Sequence, residues 1–188
     1  MLDSGERFHL AIQEMQHGSP EKAIEHLKSC LEEEPENAKA LYLLGALHAQ
    51  IGMYERSIEE MAQAIEIDGT LSIARFQLGL LHFTSGNNSE AENAWGGLDS
   101  LGDTNPLYLF KRGLLHTLEE EYKSCIDDLE KGIALNTDNE ALSNDMRKMI
   151  IAARKALNEA KADSLPTDGD SIHAKKTSSL SAYTQDND

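Results

Sequence analysis

The stretch Leu44-Gly45-Ala46-Leu47-His48 returns 34 residues later as Leu78-Gly79-Leu80-Leu81-His82. A repeat at fixed period restricts the fold more tightly than composition does, because every copy must take the same local structure and bury its apolar face against the next copy. Steps of 34 in both directions from Gly45 reach Ala11, Gly79 and Gly113, a column of very small side chains that requires close helix contact. A second small column runs Ala23, Ser57, Ala91 and Cys125, and large apolar groups fill another at Leu27, Met61, Trp95 and Leu129. Inside one unit the apolar spacing is helical twice over, with Leu41, Leu44, Gly45 and His48 on a first segment and Ile58, Met61, Ala62 and Ile65 on a second. Gly18, Gly52 and Gly86 recur between the two segments, where a left-handed residue lets the chain reverse. Each unit is therefore predicted to be a helical hairpin. Ser19 before Pro20, Asn88 before Ser89, Asn105 before Pro106 and Asp138 before Asn139 mark helix starts.

Leu44, Gly45, Ser57, Met61 and Ala64 in one unit, Leu78, Gly79, Ala91 and Trp95 in the next, and Pro35 closing the first together resemble the tetratricopeptide repeat signature. The resemblance spans roughly residues 4–139 in four units, 4–37, 38–71, 72–105 and 106–139. It implies an all-α fold, a right-handed α-solenoid of helix-turn-helix repeats. The chain departs from the pattern in named places. His48, His82 and His116 stand where the family carries an aromatic, Arg112 replaces a packing leucine, Glu120 replaces the loop glycine, and Arg7 and Glu14 interrupt the core face of the first unit. Residues 139–162 place Leu142, Met146, Met149, Ile150, Ala153 and Leu157 on one face and read as a capping helix, so the array is expected over 1–162. From 163 to 188 the chain turns polar and poor in branched apolar residues, and is expected to be a disordered tail.

Thirty-three acidic residues against 17 basic ones give a formal charge of -16, which repels phosphate backbones and anionic bilayers. Nucleic acid and membrane are excluded as partners on that ground. The first residues lack the basic and then apolar run of a secretory signal, and a cytoplasmic protein is expected. Cys30 and Cys125 lie inside apolar helical patterns and read as small core residues.

No catalytic residue, cofactor or metal is expected. The three histidines at intervals of 34 should form a ladder of packed rings, each bonded locally, because successive helix pairs stand about 8–10 Å apart and cannot bring the rings to one ion. Gly96 and Gly97 lack the lysine and serine of a phosphate loop and should end or weaken the second helix of the third unit. The acidic runs read as solvated helix faces.

What remains is a surface. Alongside the core stripe, the first helices carry a second, nearly all apolar stripe in columns: Phe8, Tyr42, Phe76 and Phe110; Ile12, Ala46, Leu80 and Leu114; Met15, Ala49, Phe83 and Thr117; with Ile73 and Leu107 extending it. Family members that clamp a terminal carboxylate place lysine, arginine and asparagine there, so the resemblance implies instead an adaptor or chaperone holding an apolar or amphipathic helical segment of another protein in its concave groove. The acidic body favours a basic partner. A structural subunit that self-associates through the groove or the capping helix, as a homodimer or assembly component, is the alternative these residues leave open, and a tail folded back over the groove through Leu165, Ile172, Leu180 and Tyr183 is a further one.

Overall fold

The computed structural model describes residues 2–163; the expected tail lies outside them apart from its first residue. Every regular element among the described residues is helical: α1 (Ser4–Gln16), α2 (Pro20–Glu33), α3 (Ala38–Gln50), α4 (Tyr54–Ile67), α5 (Ser72–Thr84), α6 (Asn88–Trp95), a 3-10 turn (Gly96–Leu101), α7 (Pro106–His116), α8 (Tyr122–Leu135) and α9 (Glu140–Asp163). The chain divides into two compact units, Met1–Gly97 and Leu98–Asp188.

The first unit holds three hairpins, α1 with α2, α3 with α4 and α5 with α6, and consecutive hairpins pack through α2 on α3 and α4 on α5. The expected turn glycines do their work: Gly18, Gly52 and Gly86 have φ of 72°, 79° and 80°. The small column also behaves as its spacing requires. A Cβ on Gly45 would meet Met61 Cγ at 3.0 Å and the Ser57 carbonyl oxygen at 3.2 Å, and Ala11 is fully buried. Ala11, Ala23, Leu27, Cys30, Ala40, Leu44 and Leu47 form one core across α1, α2 and α3. The α1 start carries a full capping box, with Asp3 Oδ1 accepting from Glu6 N at 2.8 Å and Asp3 N donating to Glu6 Oε2 at 3.0 Å.

Two starts differ from expectation by a residue: Asn87, not Asn88, occupies the cap position of α6, and Asn139, not Asp138, accepts from Leu142 N at 3.0 Å to cap α9. Ser19 sits at the α2 cap without a side-chain bond, whereas Asn105 accepts from Leu107 N at 2.9 Å ahead of α7.

The second helix of the third hairpin is short. It stops after 8 residues at Trp95, where α2 and α4 run 14, as the Gly96-Gly97 pair foretold. Gly97 lies under Arg75, whose Nε would come within 2.9 Å of an added Cβ.

In the second unit α7 and α8 pair over Gly113, where a Cβ would meet Leu129 Cδ2 at 2.9 Å. Arg112 does not pack as a leucine would. Its Nε and Nη2 donate to the two oxygens of buried Asp128 at 2.6 and 2.7 Å, its Nη1 donates to Asp103 at 2.7 Å, and the guanidinium lies 5.2 Å from the Tyr108 ring centre. Neutralising Asp128 in this bidentate fork is what makes the buried carboxylate tolerable. The turn to α8 has Glu120 at φ 59°, a left-handed residue held at the missing glycine's position. Finally α9 packs on α8, burying Leu142, Met146, Ile150, Ala153 and Ala156, with Met149 and Leu157 half-buried beside them, while Ile151 stands 69% exposed.

Candidate functional site

The proposed stripe separates into two classes. Phe8, Ile12, Met15, Tyr42, Ala46, Ala49, Ile73 and Leu80 in the first unit, and Leu107 in the second, keep part of their surface open. Phe76, Phe83, Phe110 and Leu114 are buried, so they belong to the core and do not line an open groove. The cause lies on the facing helix. Trp95 stacks on Phe76 with ring centres 6.0 Å apart, leans on Phe83 at 5.7 Å, and donates from Nε1 to the Phe76 carbonyl oxygen at 2.9 Å. Phe110 fills a hole left by Gly132, where an added Cβ would be 2.5 Å from Phe110 Cε1. Phe8 and Tyr42 share the Phe110 column and stay half-open, and their repeats carry Cys30 and Ala64 at the position equivalent to Gly132.

Within the first unit the step of 34 places half-open Ile12, Ala46 and Leu80 at equivalent positions of α1, α3 and α5, with half-open Tyr42, Ala49 and Ile73 at neighbouring columns of the same helices. Phe8 and Met15 pack partly against the α1–α3 core, and so does Leu43, an open apolar residue of α3 outside the expected columns. Burial pushes the Tyr42 phenol up to about 12. The half-open residues there are aliphatic and aromatic.

The histidine ladder takes three forms. His48 is buried and its Nδ1 pairs with Glu60 Oε2 at 2.6 Å; burial raises the Glu60 carboxyl above its ordinary range, against the opposing pull of His48, Arg56 and Lys28. His116 is half-buried, with Nδ1 2.8 Å from Glu121 Oε2 and Nε2 3.5 Å from Asp128 Oδ2. His82 departs from expectation, because its Nδ1 is buried with no hydrogen-bond partner among the described residues. Twelve residues beyond each histidine the chain carries Glu60, Ala94 and Asp128, so only the middle one lacks a carboxylate there. His116, Glu119 and Glu121 bring potential ligand atoms within 4.8 Å of one another on an exposed turn.

Cys30 and Cys125 are both buried, and burial with the nearby Asp128 pushes the Cys125 thiol up to about 12. Among the described residues no helix is long and apolar enough to cross a membrane.

Residues 14–77 match the tetratricopeptide repeat family model. No curated protein sequence matches the chain. Solved structures do. MamA from Desulfovibrio magneticus RS-1 (residues 41 to its end) is 16% identical with a TM-score of 0.59, the match covering 85% of this chain and 93% of that one. A tetratricopeptide repeat protein from Parabacteroides merdae is 16% identical with a TM-score of 0.61, over 87% of this chain and 66% of that one. The Cut9–Hcn1 hetero-tetramer of the APC/C gives 16% identity and a TM-score of 0.65, over 86% of this chain and 33% of that one. At these identities the likeness carries the fold, an all-α helical solenoid of helix-turn-helix repeats, and nothing about partners.

Proposed function

We propose that the chain, whose residues 14–77 match the tetratricopeptide repeat family model, is a non-enzymatic adaptor or chaperone of the cytoplasm that holds an apolar or helical segment of a partner protein. What supports the reading is the half-open state of aliphatic and aromatic side chains that the repeat spacing places at related positions of α1, α3 and α5: Ile12, Tyr42, Ala46, Ala49, Ile73 and Leu80. Apolar surface left open at one register of a stacked array lowers its free energy when a second apolar face covers it, by roughly 25 cal/mol per Å² removed from water. Six side chains form only the centre of an interface, since stable ones engage about 20–30 residues a side. Polar rims must contribute the rest. The surrounding amides Gln13, Gln50 and Gln77 suit the hydrogen-bonding part of such a rim.

The test is capture of a partner by the intact protein and by an Ala46→Glu, Leu80→Glu double variant. Both positions are half-exposed, so charge there leaves the fold in place, which circular dichroism and an unchanged urea midpoint verify. Partner recovery is expected to fall to background with the variant. Equal recovery by the two proteins refutes the strip as the contact surface. Phe76 is unsuitable for this test, because a carboxylate against Trp95 would unfold the hairpin.

A further inference from the structure

The hairpin turns share one backbone geometry but not one chemistry. In the last three hairpins the residue that caps the second helix donates its backbone N–H to the carbonyl of the histidine five positions earlier: Met53 to His48 at 2.8 Å, Asn87 to His82 at 2.9 Å and Glu121 to His116 at 2.9 Å. A left-handed residue precedes each donor, Gly52, Gly86 and Glu120. The same frame therefore carries the histidine and the two residues that flank the left-handed position. Beside His48 these are Ile51 and Met53, and beside His82 they are Ser85 and Asn87. Beside His116 they are two carboxylates, Glu119 and Glu121, and the ligand atoms of the three side chains lie within 4.8 Å of one another.

The orientation of the ring fits those carboxylates. His48 places Nδ1 on Glu60 of the second helix at 2.6 Å. The equivalent residue of the fourth hairpin, Asp128, is one methylene shorter, and Arg112 already donates to both its oxygens at 2.6 and 2.7 Å. His116 accordingly backs onto Asp128 through Nε2, 3.5 Å from Oδ2, and turns Nδ1 to the loop, 2.8 Å from Glu121 Oε2. A metal-ligating histidine has this arrangement, one nitrogen outward and the other against a carboxylate that fixes the tautomer and raises the basicity of the ligand. Asp128 is only 5% exposed, so that backing is buried and held by the guanidinium. Glu121 caps α8 without a side-chain bond to it, which leaves its carboxylate to the turn. The 2.8 Å between Nδ1 and Oε2 equals the spacing of two neighbouring ligands that meet near a right angle on one ion, with bonds of about 2.0–2.1 Å.

We propose that His116, Glu119 and Glu121 bind a divalent first-row transition ion of the zinc class, with Asp128 as the outer carboxylate on the histidine. The imidazole favours such ions over calcium and magnesium, which take oxygen ligands. Two glutamates neutralise the charge of the ion, and three protein ligands leave a position for water or for a donor from a bound molecule. The ion joins the last residue of α7 to the cap of α8 across the left-handed Glu120. The site lies wholly in the second unit and does not depend on the apolar strip of the first.

Zinc chloride titrated calorimetrically into the metal-free whole chain tests this. One tight phase of one ion per chain is expected, ahead of weaker uptake by scattered acidic faces, and calcium chloride should give no such phase. His116→Gln, and separately the Glu119→Gln, Glu121→Gln double variant, should each weaken the tight phase by about tenfold or more. Glu120→Gln should leave it unchanged. The double variant alters only exposed side chains, so it decides the matter even if His116→Gln is itself destabilised, which thermal melting of the metal-free proteins detects. Nitrogen-15 spectra of the parent should show zinc shifting His116 Nδ1 while Nε2 keeps its proton. Absence of a tight phase, calcium binding as tight as zinc, or a tight phase that persists in the double variant overturns the proposal.

Discussion

The Trp95 indole occupies the space that any side chain at position 79 would need: a Cβ on Gly79 would meet Trp95 Nε1 at 2.1 Å and Cδ1 at 2.3 Å. The glycine therefore lets the largest side chain of the unit lie flat on α5, between Phe76 and Phe83, with its N–H on the Phe76 carbonyl. Gly79→Ala must push the indole out of this slot or separate the helices, and should cost about 3 kcal/mol by overpacking. Since Trp95 is the single tryptophan, its fluorescence reports the hairpin directly. A lower urea midpoint with a red-shifted native emission is expected; unchanged emission and midpoint would show that the contact is slack.

His82 presents the complementary situation, a buried ring nitrogen without a partner where its counterparts pair with Glu60 and with Glu121 and Asp128. The register assigns the missing acceptor to position 94. Ala94→Glu should complete the pair and stabilise the chain by about 1 kcal/mol, the usual net worth of one hydrogen bond. Nitrogen-15 spectra should then show His82 Nδ1 protonated and hydrogen-bonded, with a raised thermal midpoint. If the variant melts lower than the parent, the carboxylate does not reach the ring.

The hairpins, their glycine turns and the Ala11, Gly45, Gly79, Gly113 column were all legible in the residues, because a helix period and a fixed step depend only on local spacing. The strip was half legible. Phe8, Tyr42, Phe76 and Phe110 look alike in sequence, yet what decides their exposure sits across the hairpin: the indole of Trp95 for Phe76, the void above Gly132 for Phe110. A mid-helix glycine in α8 was the available signal for the second. Nothing local indicated that Arg112 would reach Asp128, 16 residues away, in place of a leucine contact.

Glu120 holds φ 59° where the other hairpins use glycine, a conformation costing a non-glycine residue about 1 kcal/mol. The side chain is exposed, so its removal sacrifices little packing. Glu120→Gly is expected to raise the thermal midpoint by roughly 2–4 °C, measured by circular dichroism at 222 nm. A drop would mean that the turn depends on the glutamate side chain.

Alkaline stability should depend on Tyr42. Its phenol titrates near the ordinary 10 in the unfolded chain and is pushed up to about 12 by burial in the folded one. Between those values the folded state keeps a proton that the unfolded state has released, so stability is full below about pH 10 and declines as pH rises toward 12. One unit into that window, at about pH 11, the loss from this group amounts to about 1.4 kcal/mol. Tyr42→Phe removes the titrating group and should flatten that part of the profile. Cys125, also pushed up to about 12, adds a decline that begins near pH 9 and persists in the variant. Urea midpoints of parent and variant at pH 8, 9.5 and 11 separate the two contributions. Parallel profiles for the two proteins would show that Tyr42 ionises as freely in the fold as in the open chain.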